Sequence, residues 1–359
     1  MFSRRMLLAS PAFLAACAAD PSGEADPEME ALLRTFASLH PLPIETLTPA
    51  DARKQPSLAD AVKAQLRNAG RPVEPRPVAR AMDVAIPMPV GGPLLARIYT
   101  PVGAAGPLPL IVYFHGGGWV IADLDTYDSS ARALAAETGA VVLSVHYRQG
   151  PEFRFPSAHD DAINAWRWAT ANRSALGADP YRAAVVGESA GASLALNVGI
   201  AARDLRLPLP VAMGIIYPVA GTDTETPSYD RYAGAKPLNR PMINWFVRNY
   251  TNSPRDLEDP RLALYERANL AGLPPALIIN AQIDPLQDDG ARLEVAMRRQ
   301  GTLVRRTVYP GVTHEFFGAD AVLTKARAAQ QEMGGFLRAA FAAMPAPVEA
   351  PAMPTRRRR

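Results

Sequence analysis

Short, almost entirely apolar segments alternate with amphipathic ones from about residue 80 to near the end of the chain. Several short segments are hydrophobic at nearly every position, as strands covered on both faces are. Because the segments between them show helical spacing, the pattern predicts an α/β fold with a mainly parallel eight-stranded sheet and helices on both faces. The predicted strands are 83–87, 94–99, 108–114, 140–147, 182–187, 211–217, 275–281 and 304–309, and the helices are 126–138, 157–172, 190–204, 287–300 and 323–343.

Three stretches depart from this alternation. The first two strands are joined only by a tight Gly-Gly-Pro link at 91–93, so we expect them to pair antiparallel. Residues 28–80 combine two helical patterns with a proline-rich connector. Within the predicted body, 81–344, an insertion at about 220–264 has an amphipathic helix of its own at 241–250, which makes it a candidate lid.

Composition and charge limit the class of protein. Of 359 residues, 48% are hydrophobic and 20% charged, which is typical of a globular enzyme. The formal net charge is +3, but six arginines lie at positions 4, 5 and 356–359, and the rest of the chain without them carries −3. We therefore expect no nucleic-acid partner. No phosphate-binding loop, zinc-ligand spacing or dinucleotide fingerprint is present, so nothing points to a metal or a cofactor.

The N-terminus has the pattern of an export signal. Residues 1–17, MFSRRMLLASPAFLAAC, combine a basic start, an apolar run too short to span a bilayer and the chain's one cysteine. Its end resembles a bacterial lipobox, in which Cys17 receives lipid, and Arg4-Arg5 resembles a twin-arginine signal. We expect an exported lipoprotein of the bacterial cell envelope, held at the membrane only through Cys17, with 18–27 as a tether. A cytoplasmic protein with a frayed apolar N-terminus is the alternative.

The C-terminal residues 345–359 contain too little apolar surface to fold and are predicted to form a disordered tail. Their last four residues, RRRR, raise a second interpretation, in which the tail docks to anionic lipid.

A serine between two glycines lies where a predicted strand passes into a predicted helix. In GESAG, residues 187–191, the glycines permit a sharp turn that exposes the Ser189 hydroxyl at the positive end of the helix dipole. This pattern is typical of a nucleophilic serine, although a serine that only caps a helix is the simpler alternative. The nucleophile also needs a base, an acid and donors for an oxyanion.

The acid and the base are predicted from their places after later strands. Serine hydrolases built on such a sheet supply serine, acid and histidine in that order, each just beyond a strand. Asp284 follows the seventh predicted strand, and of the five histidines only His314 follows the eighth. Asp288 and Asp289 are alternatives for the acid, but they fall in the first turn of the next helix, where acidic residues are favoured anyway.

Three consecutive glycines follow the third predicted strand, in HGGGW at 115–119. Without side chains, their backbone N–H groups can turn toward a bound carbonyl. We expect the N–H groups of Gly117, Gly118 and Ala190 to form an oxyanion hole. A flexible turn is the alternative explanation for the glycines.

These separated motifs together resemble the bacterial hormone-sensitive-lipase family of esterases, also called family IV. The resemblance covers roughly residues 80–340 and is specific because the motifs occur in register. The chain departs from the family at Gln149-Gly150, where Leu-Ala is usual, and at Glu315, where glycine is common. We expect Glu315 to shift the pKa of the neighbouring base or to contact the substrate. The motifs are HGGGW, DLDTYD at 123–128, Tyr147-Arg148, Pro151-Glu152, Phe155-Pro156, Asp161, GESAG, DPL at 284–286 with Asp288, and GVTHEF at 311–316.

The resemblance implies an α/β-hydrolase fold with a cap built from the N-terminal helices and the 220–264 insertion. It implies a serine carboxylesterase without cofactor, in which Ser189, Asp284 and His314 hydrolyse short- to medium-chain esters through an acyl-enzyme. The expected partner is a small-molecule ester. The sequence leaves open whether the chain also forms a homo-oligomer. Amide or formamide hydrolysis by the same triad is the nearest alternative. Another alternative is a non-catalytic small-molecule binding protein on the same fold. The plant gibberellin receptor is such a protein and resembles this family, but it lacks the catalytic histidine, whereas this chain has His314.

Four aromatic residues are candidates for the substrate pocket: Trp119, Tyr127, Trp245 and Phe246. The last two recur at helical spacing with Tyr250, so core packing explains them equally well.

Overall fold

Eight strands form one sheet at the centre of the molecule. The structure is a computed structural model and describes residues 24–344. In chain order the strands are β1 (Arg80–Ile86), β2 (Leu94–Thr100), β3 (Leu108–Phe114), β4 (Val141–His146), β5 (Ala178–Glu188), β6 (Met213–Ile216), β7 (Ala276–Ile283) and β8 (Val304–Thr313). Across the sheet the order is β1-β2-β4-β3-β5-β6-β7-β8, with β1–β2 and β2–β4 antiparallel and every later pair parallel.

The predicted fold class is confirmed, including the antiparallel pairing of the first two strands. Two strands are at least four residues longer than predicted: β5 begins at Ala178, and β8 extends to Thr313. In each, the residues added at that end lie beyond an irregularity in strand register. Such an irregularity interrupts the hydrophobic pattern that marks a strand in the sequence, so the predicted β5 began late and the predicted β8 ended early.

Helices cover both faces of the sheet. They are α1 (Pro27–Ser38), α2 (Pro49–Ala52), α3 (Leu58–Asn68), α4 (Asp128–Thr138), α5 (Ser157–Ala171), α6 (Ala190–Asp204), α7 (Pro227–Arg231), α8 (Arg240–Tyr250), α9 (Leu264–Arg267), α10 (Gln287–Arg299) and α11 (Thr324–Ala342). Successive residues of β3 face opposite sides of the sheet. Leu110, Val112 and Phe114 belong to the core that includes residues of α5, α6 and α10, and Ile111 and Tyr113 belong to the core that includes residues of α4 and α11. A strand buried on both faces is hydrophobic throughout, as the sequence of β3 is.

Two helical segments lie outside the alternating body: α1–α3 before β1, and α7–α9 between β6 and β7. The indole Nε1 of Trp245 in α8 donates a hydrogen bond to the backbone oxygen of Leu47 at 3.1 Å and so connects the segments. The backbone N–H groups of Ala220 and Gly221 donate to the carboxylate of Asp289 in α10 at 2.9 and 3.1 Å. The insertion is therefore tied to the body at its first residues.

Helix α1 begins at Pro27, and its N-cap residue Asp26 accepts the N–H of Met29 at 2.8 Å. The first helix of the described residues thus begins inside the range predicted to be a tether, and the capping carboxylate stabilises it by satisfying a free N–H of the first turn. The predicted signal sequence, Cys17 and the arginine tail lie outside the described residues. Between residues 24 and 344, no helix is both long enough and apolar enough to cross a membrane.

Candidate active site

Ser189 lies in a strained turn between β5 and α6, with φ 55° and ψ −120°. Its N–H donates to the backbone oxygen of Ile216 at 2.9 Å. A Cβ on Gly187 would lie 2.0 Å from the oxygen of Gly191, and a Cβ on Gly191 would lie 2.1 Å from the oxygen of Phe114. Both flanking positions therefore require glycine, and the tight turn holds the serine hydroxyl clear of the backbone at the carboxyl end of β5.

The three residues predicted as a triad are brought together by neighbouring strands. Asp284 directly follows β7, and His314 directly follows β8. His314 Nε2 lies 3.0 Å from Ser189 Oγ, and His314 Nδ1 lies 2.7 Å from Asp284 Oδ2. With the proton on Nδ1, the imidazole donates to Asp284 and accepts the hydroxyl hydrogen of Ser189. The other carboxylate oxygen of Asp284 accepts the N–H of Leu286 at 2.9 Å.

The electrostatic surroundings favour the charged form of His314. All three side chains are buried: Ser189 is 5% exposed, His314 3% and Asp284 0%. Burial alone lowers the pKa of His314, but the charge and hydrogen bond of Asp284, helped by Glu315 and Glu188, outweigh it and raise the pKa above its usual value. A base that accepts a proton from Ser189 is thus stabilised as the imidazolium.

The two other acidic residues near Asp284 have different partners. Asp289 accepts the N–H groups of the first two residues of the insertion, and Asp288 accepts the N–H of Ser228 at 2.9 Å. Both carboxylates hold the insertion rather than the histidine, which leaves Asp284 as the acid beside His314.

The glycine loop after β3 lies beside Ser189. A Cβ on Gly116 would lie 3.2 Å from the Cβ of Ser189. Gly117 and Gly118 have φ of 101° and 58°, which glycine adopts without strain. Within residues 24–344, the N–H groups of Gly117, Gly118 and Ala190 donate to no acceptor. Three unused donors next to Ser189 have the chemistry of an oxyanion hole.

Tyr147 supports this loop, although the sequence indicated only that it belongs to a family motif. Its hydroxyl donates to the backbone oxygens of His115 and Gly116 at 2.9 and 3.2 Å, and its ring stacks on His115 at 4.5 Å. Burial lowers the pKa of His115 to about 3, so this imidazole is neutral. The His115 ring therefore packs as an uncharged group, stacked on the ring of Tyr147.

Glu188, the residue before the nucleophile, is fully buried. Its carboxylate accepts the hydroxyl of Tyr113 at 2.6 Å and that of Tyr217. Burial raises its pKa, opposed by these two hydrogen bonds. The only sequence signal for this residue was its place in the GESAG motif.

A cavity of about 600 Å³ opens beside the glycine loop. Its walls come from residues 33–58 of the N-terminal segment, from Gly117, from Met242 of α8 and from Glu315. A smaller cavity of about 130 Å³ lies between Trp119 and the insertion. Within the described part of the chain, no group of three or more His, Cys, Asp or Glu residues is arranged to hold a metal ion.

The four aromatic candidates are placed differently from one another. Trp119 lines the smaller cavity, and Tyr127 lies below the glycine loop with its hydroxyl 3.4 Å from Glu315 Oε1. Phe246 packs against Gly118, and Trp245 packs edge-on against Phe246 while bonding the N-terminal segment. Trp245 and Phe246 line neither of the two cavities. Both side chains have the surroundings of packed core residues, which was the alternative explanation for their helical spacing.

Comparison with known proteins agrees with this geometry. Residues 111–318 match the family of proteins with the alpha/beta hydrolase fold. An ethyl acetate hydrolase of Pseudomonas putida is 35% identical over 295 residues, covering 79% of this chain and 88% of the relative. The carboxylesterase NlhH of Mycobacterium tuberculosis is 35% identical over 295 residues, covering 81% and 88%. A solved hyperthermophilic esterase from the archaeon Pyrobaculum calidifontis superposes with a TM-score of 0.78 at 32% identity, covering 88% and 98%. The chain therefore belongs to the α/β-hydrolase family, in its hormone-sensitive-lipase group of serine carboxylesterases.

Proposed function

We propose that this enzyme hydrolyses carboxylic esters through an acyl-enzyme formed on Ser189. The observation that carries the proposal is the chain of contacts from Asp284 through His314 to Ser189, at 2.7 and 3.0 Å, on a turn that only glycine neighbours permit. Such a chain activates a hydroxyl that is a weak nucleophile by itself.

In the proposed reaction, Ser189 Oγ forms a bond to the ester carbonyl carbon while its proton passes to His314 Nε2. The carbonyl oxygen becomes an oxyanion that accepts the N–H groups of Gly117, Gly118 and Ala190. The tetrahedral intermediate collapses, the ester C–O bond breaks, and the alcohol leaves with the proton from His314. Water then attacks the acyl carbonyl carbon while His314 takes its proton. The second tetrahedral intermediate collapses, the bond to Ser189 Oγ breaks, and Ser189 takes the proton back from His314 as the acid leaves.

We propose short- to medium-chain esters as the substrate range. The volume of about 600 Å³ beside the glycine loop suits a small ligand rather than a triglyceride. One relative is named for ethyl acetate, which is in keeping with this size. A profile of kcat/KM against acyl length tests the range, and a maximum above about twelve carbons would contradict it, given the volume a small-molecule site offers.

The nucleophile is tested with Ser189→Ala and a matched control, Ser193→Ala. Ser193 lies in the same helix, and its buried hydroxyl has no hydrogen-bond partner in the described chain, so its loss should be harmless. Ser189→Ala should lose nearly all turnover of a p-nitrophenyl butyrate and all fluorophosphonate labelling, while Ser193→Ala keeps both. Activity of Ser189→Ala within about tenfold of the parent would contradict the assignment. A matched p-nitroanilide cleaved faster than the ester would favour the amide alternative.

For location, we propose export and lipid anchoring through Cys17, supported by the basic, apolar and small-residue order of residues 1–17. Membrane fractions of cells that express the full chain should contain the enzyme, and Cys17→Ala should release it. Deletion of the arginine tail should leave it membrane-bound, whereas release by that deletion alone would indicate docking to anionic lipid.

A further inference from the structure

The larger cavity has a carboxylate next to the proposed catalytic base. Glu315 directly follows His314 and lines the same cavity as Gly117, whose N–H faces the oxyanion position in the proposed mechanism. A substrate arm that extends past Gly117 into this cavity therefore enters a space whose wall includes Glu315. The only side chain that hydrogen-bonds this carboxyl is Tyr127 within the described residues, through a long contact of 3.4 Å.

The backbone at Glu315 is unfavourable for a residue with a side chain. Its φ of 65° is in the left-handed region, which glycine adopts freely and glutamate does not. A strained non-glycine residue in a substrate cavity points to a function for its side chain. Burial raises the pKa of the Glu315 carboxyl, and the neighbouring His314 and the hydrogen bond from Tyr127 oppose this rise. When it is ionised, the side chain puts a negative charge in the wall.

A second acidic residue, from the N-terminal segment, also lines the cavity. Glu45 is half-buried in the short turn Ile44–Thr46, between α1 and α2. Its Oε2 is buried and has no hydrogen-bond partner among residues 24–344. Buried polar atoms in native proteins nearly always have a partner, so this oxygen is suited to a donor or a cation supplied by a ligand.

The cationic residues of the wall do not neutralise these two carboxylates. Arg53 is engaged elsewhere: it donates to the backbone oxygens of Val120 and Gly150 at 2.8 and 2.7 Å and pairs with Glu152 at 2.7 Å. Lys236 and His40 are exposed, so solvent screens any charge that they carry. Two carboxyl groups therefore line the cavity without a Lys or Arg ion-pair partner among the described residues, while most of the remaining lining is apolar, including Leu33, Phe36, Ile44, Ile121 and Met242.

We propose that this cavity selects esters that carry a quaternary or protonated ammonium group on the arm that enters it, with Glu315 as the specificity-determining residue. The apolar lining accommodates the alkyl or aryl body of that arm, and Glu315 and Glu45 attract its positive charge. The inference rests on the proposed ester hydrolysis and names the substrate class of that same site.

The test compares esters of equal shape that differ only in charge. On the alcohol side these are acetylcholine and its uncharged carbon isostere, neohexyl acetate. On the acyl side they are the methyl ester of γ-trimethylammoniobutyrate and its uncharged carbon isostere. Each kcat/KM is divided by the rate of alkaline hydrolysis of the same ester, which removes intrinsic reactivity. Testing both sides shows which arm of the ester enters the cavity.

We expect one cationic ester to exceed its isostere about tenfold, a ratio that a carboxylate several ångströms away in a partly solvated cavity produces. Glu315→Gln should bring that ratio close to one. Because Glu315 also raises the pKa of His314, the two esters are compared at a pH above the His314 midpoint, where an effect of the substitution through His314 is common to both esters and cancels in the ratio. Glu315→Gly relieves the backbone strain and should behave in the same way, which guards against a folding defect. The matched control is Glu30→Gln, an exposed residue of α1 paired with Arg34, which should keep the parent ratio.

A parent ratio near or below one on both sides would overturn the proposal, as would a ratio that Glu315→Gln leaves unchanged. An equal fall of both esters in Glu315→Gln would also overturn it, because the residue would then act through His314 rather than on the substrate. In these outcomes the neutral ester is still hydrolysed by the parent enzyme, so ester hydrolysis stands. Failure of the parent to hydrolyse any of the esters would instead remove the function on which the proposal depends.

Discussion

The carboxylate of Asp289 accepts the backbone N–H of Ala220 at 2.9 Å and so joins helix α10 to the first residue of the insertion that carries α7–α9. Asp289 is fully buried. Burial raises its pKa well above the usual range, although the N–H groups of Ala220 and Gly221 oppose this. Helix α10 thus begins near Asp284, which contacts His314. It also contains Asp289, which binds the backbone of Gly221 in the wall of the smaller cavity. Two carboxyl groups five positions apart therefore have separable effects on chemistry and on stability.

Asp289→Ala is expected to lower stability and leave the chemistry largely intact. The variant leaves two buried N–H groups without an acceptor, which should lower the free energy of unfolding by about 2 kcal/mol. Urea denaturation measures this loss, and kcat for p-nitrophenyl butyrate should stay within about threefold. Asp204→Ala is the control, because its exposed pair with Arg203 should contribute less than about 1 kcal/mol. A loss of kcat in Asp289→Ala as large as that of a triad variant would contradict this division.

Asp284→Asn is expected to have the opposite effect. The amide keeps the size of the side chain but removes the charge that orients and stabilises His314, so kcat/KM should fall roughly a thousandfold to ten-thousandfold. The melting temperature should change by only a few degrees. Retention of more than about a tenth of the activity would exclude Asp284 as the acid of the triad.

The pH dependence follows from the raised pKa of His314. Only the neutral imidazole accepts the Ser189 proton, so kcat/KM should rise with pH through a midpoint above the ordinary histidine value of about 6.5. The charge of Glu315 helps to raise this pKa, so Glu315→Gln should lower the midpoint. A pH–rate profile of the neutral ester measures both. A midpoint unchanged in Glu315→Gln, or raised by it, would contradict the sign of the interaction.

Gly118 in the glycine loop has no room for a side chain, because Phe246 packs against it. A Cβ on Gly118, at φ 58°, would lie 2.2 Å from Cγ of Phe246. Gly118→Ala should therefore displace the loop and lower kcat about a hundredfold, the size expected when an oxyanion donor is lost. Gly70→Ala is a matched control, because Gly70 has φ 63° and no atom within 4 Å of its Cβ position. It should lose about 1 kcal/mol of stability and no activity. Adding Phe246→Ala to Gly118→Ala should restore part of the lost kcat.

Much of the fold could be predicted because its signals are local. The strands and helices follow from hydrophobic spacing, and the β1–β2 pairing follows from a link too short for a crossover. Ser189, Asp284 and His314 were predicted for a related reason: parallel strands end at one edge of the sheet, so residues that follow them meet there. The order of these residues along the chain was therefore enough to predict that they lie close together. The ends of β5 and β8 were missed because irregular register breaks the local pattern.

The surroundings of the triad were not predictable in this way. Tyr147 supports the glycine loop from the position that follows β4. Glu45 lines the same cavity as Glu315 although 270 positions separate them in the chain. Of the four aromatic candidates, helical spacing alone could not separate Trp119, which lines a cavity, from Trp245, which packs between segments. These contacts depend on how helices pack on the sheet, which sequence spacing does not encode.

By itself, the sequence determined the order of the strands and helices, the sharp turn at Ser189 and the glycine loop, because each depends on neighbouring residues and on the conformational freedom of glycine. Only the tertiary structure decided the sheet order across the β2–β4 pair, the distinction between Asp284 and Asp289, and the shape and charge of the cavity. Each of these depends on side chains distant in the chain that meet through packing. Packing also shifts pKa values: Asp284 raises the pKa of His314 against the effect of burial, and burial raises the pKa of Glu315.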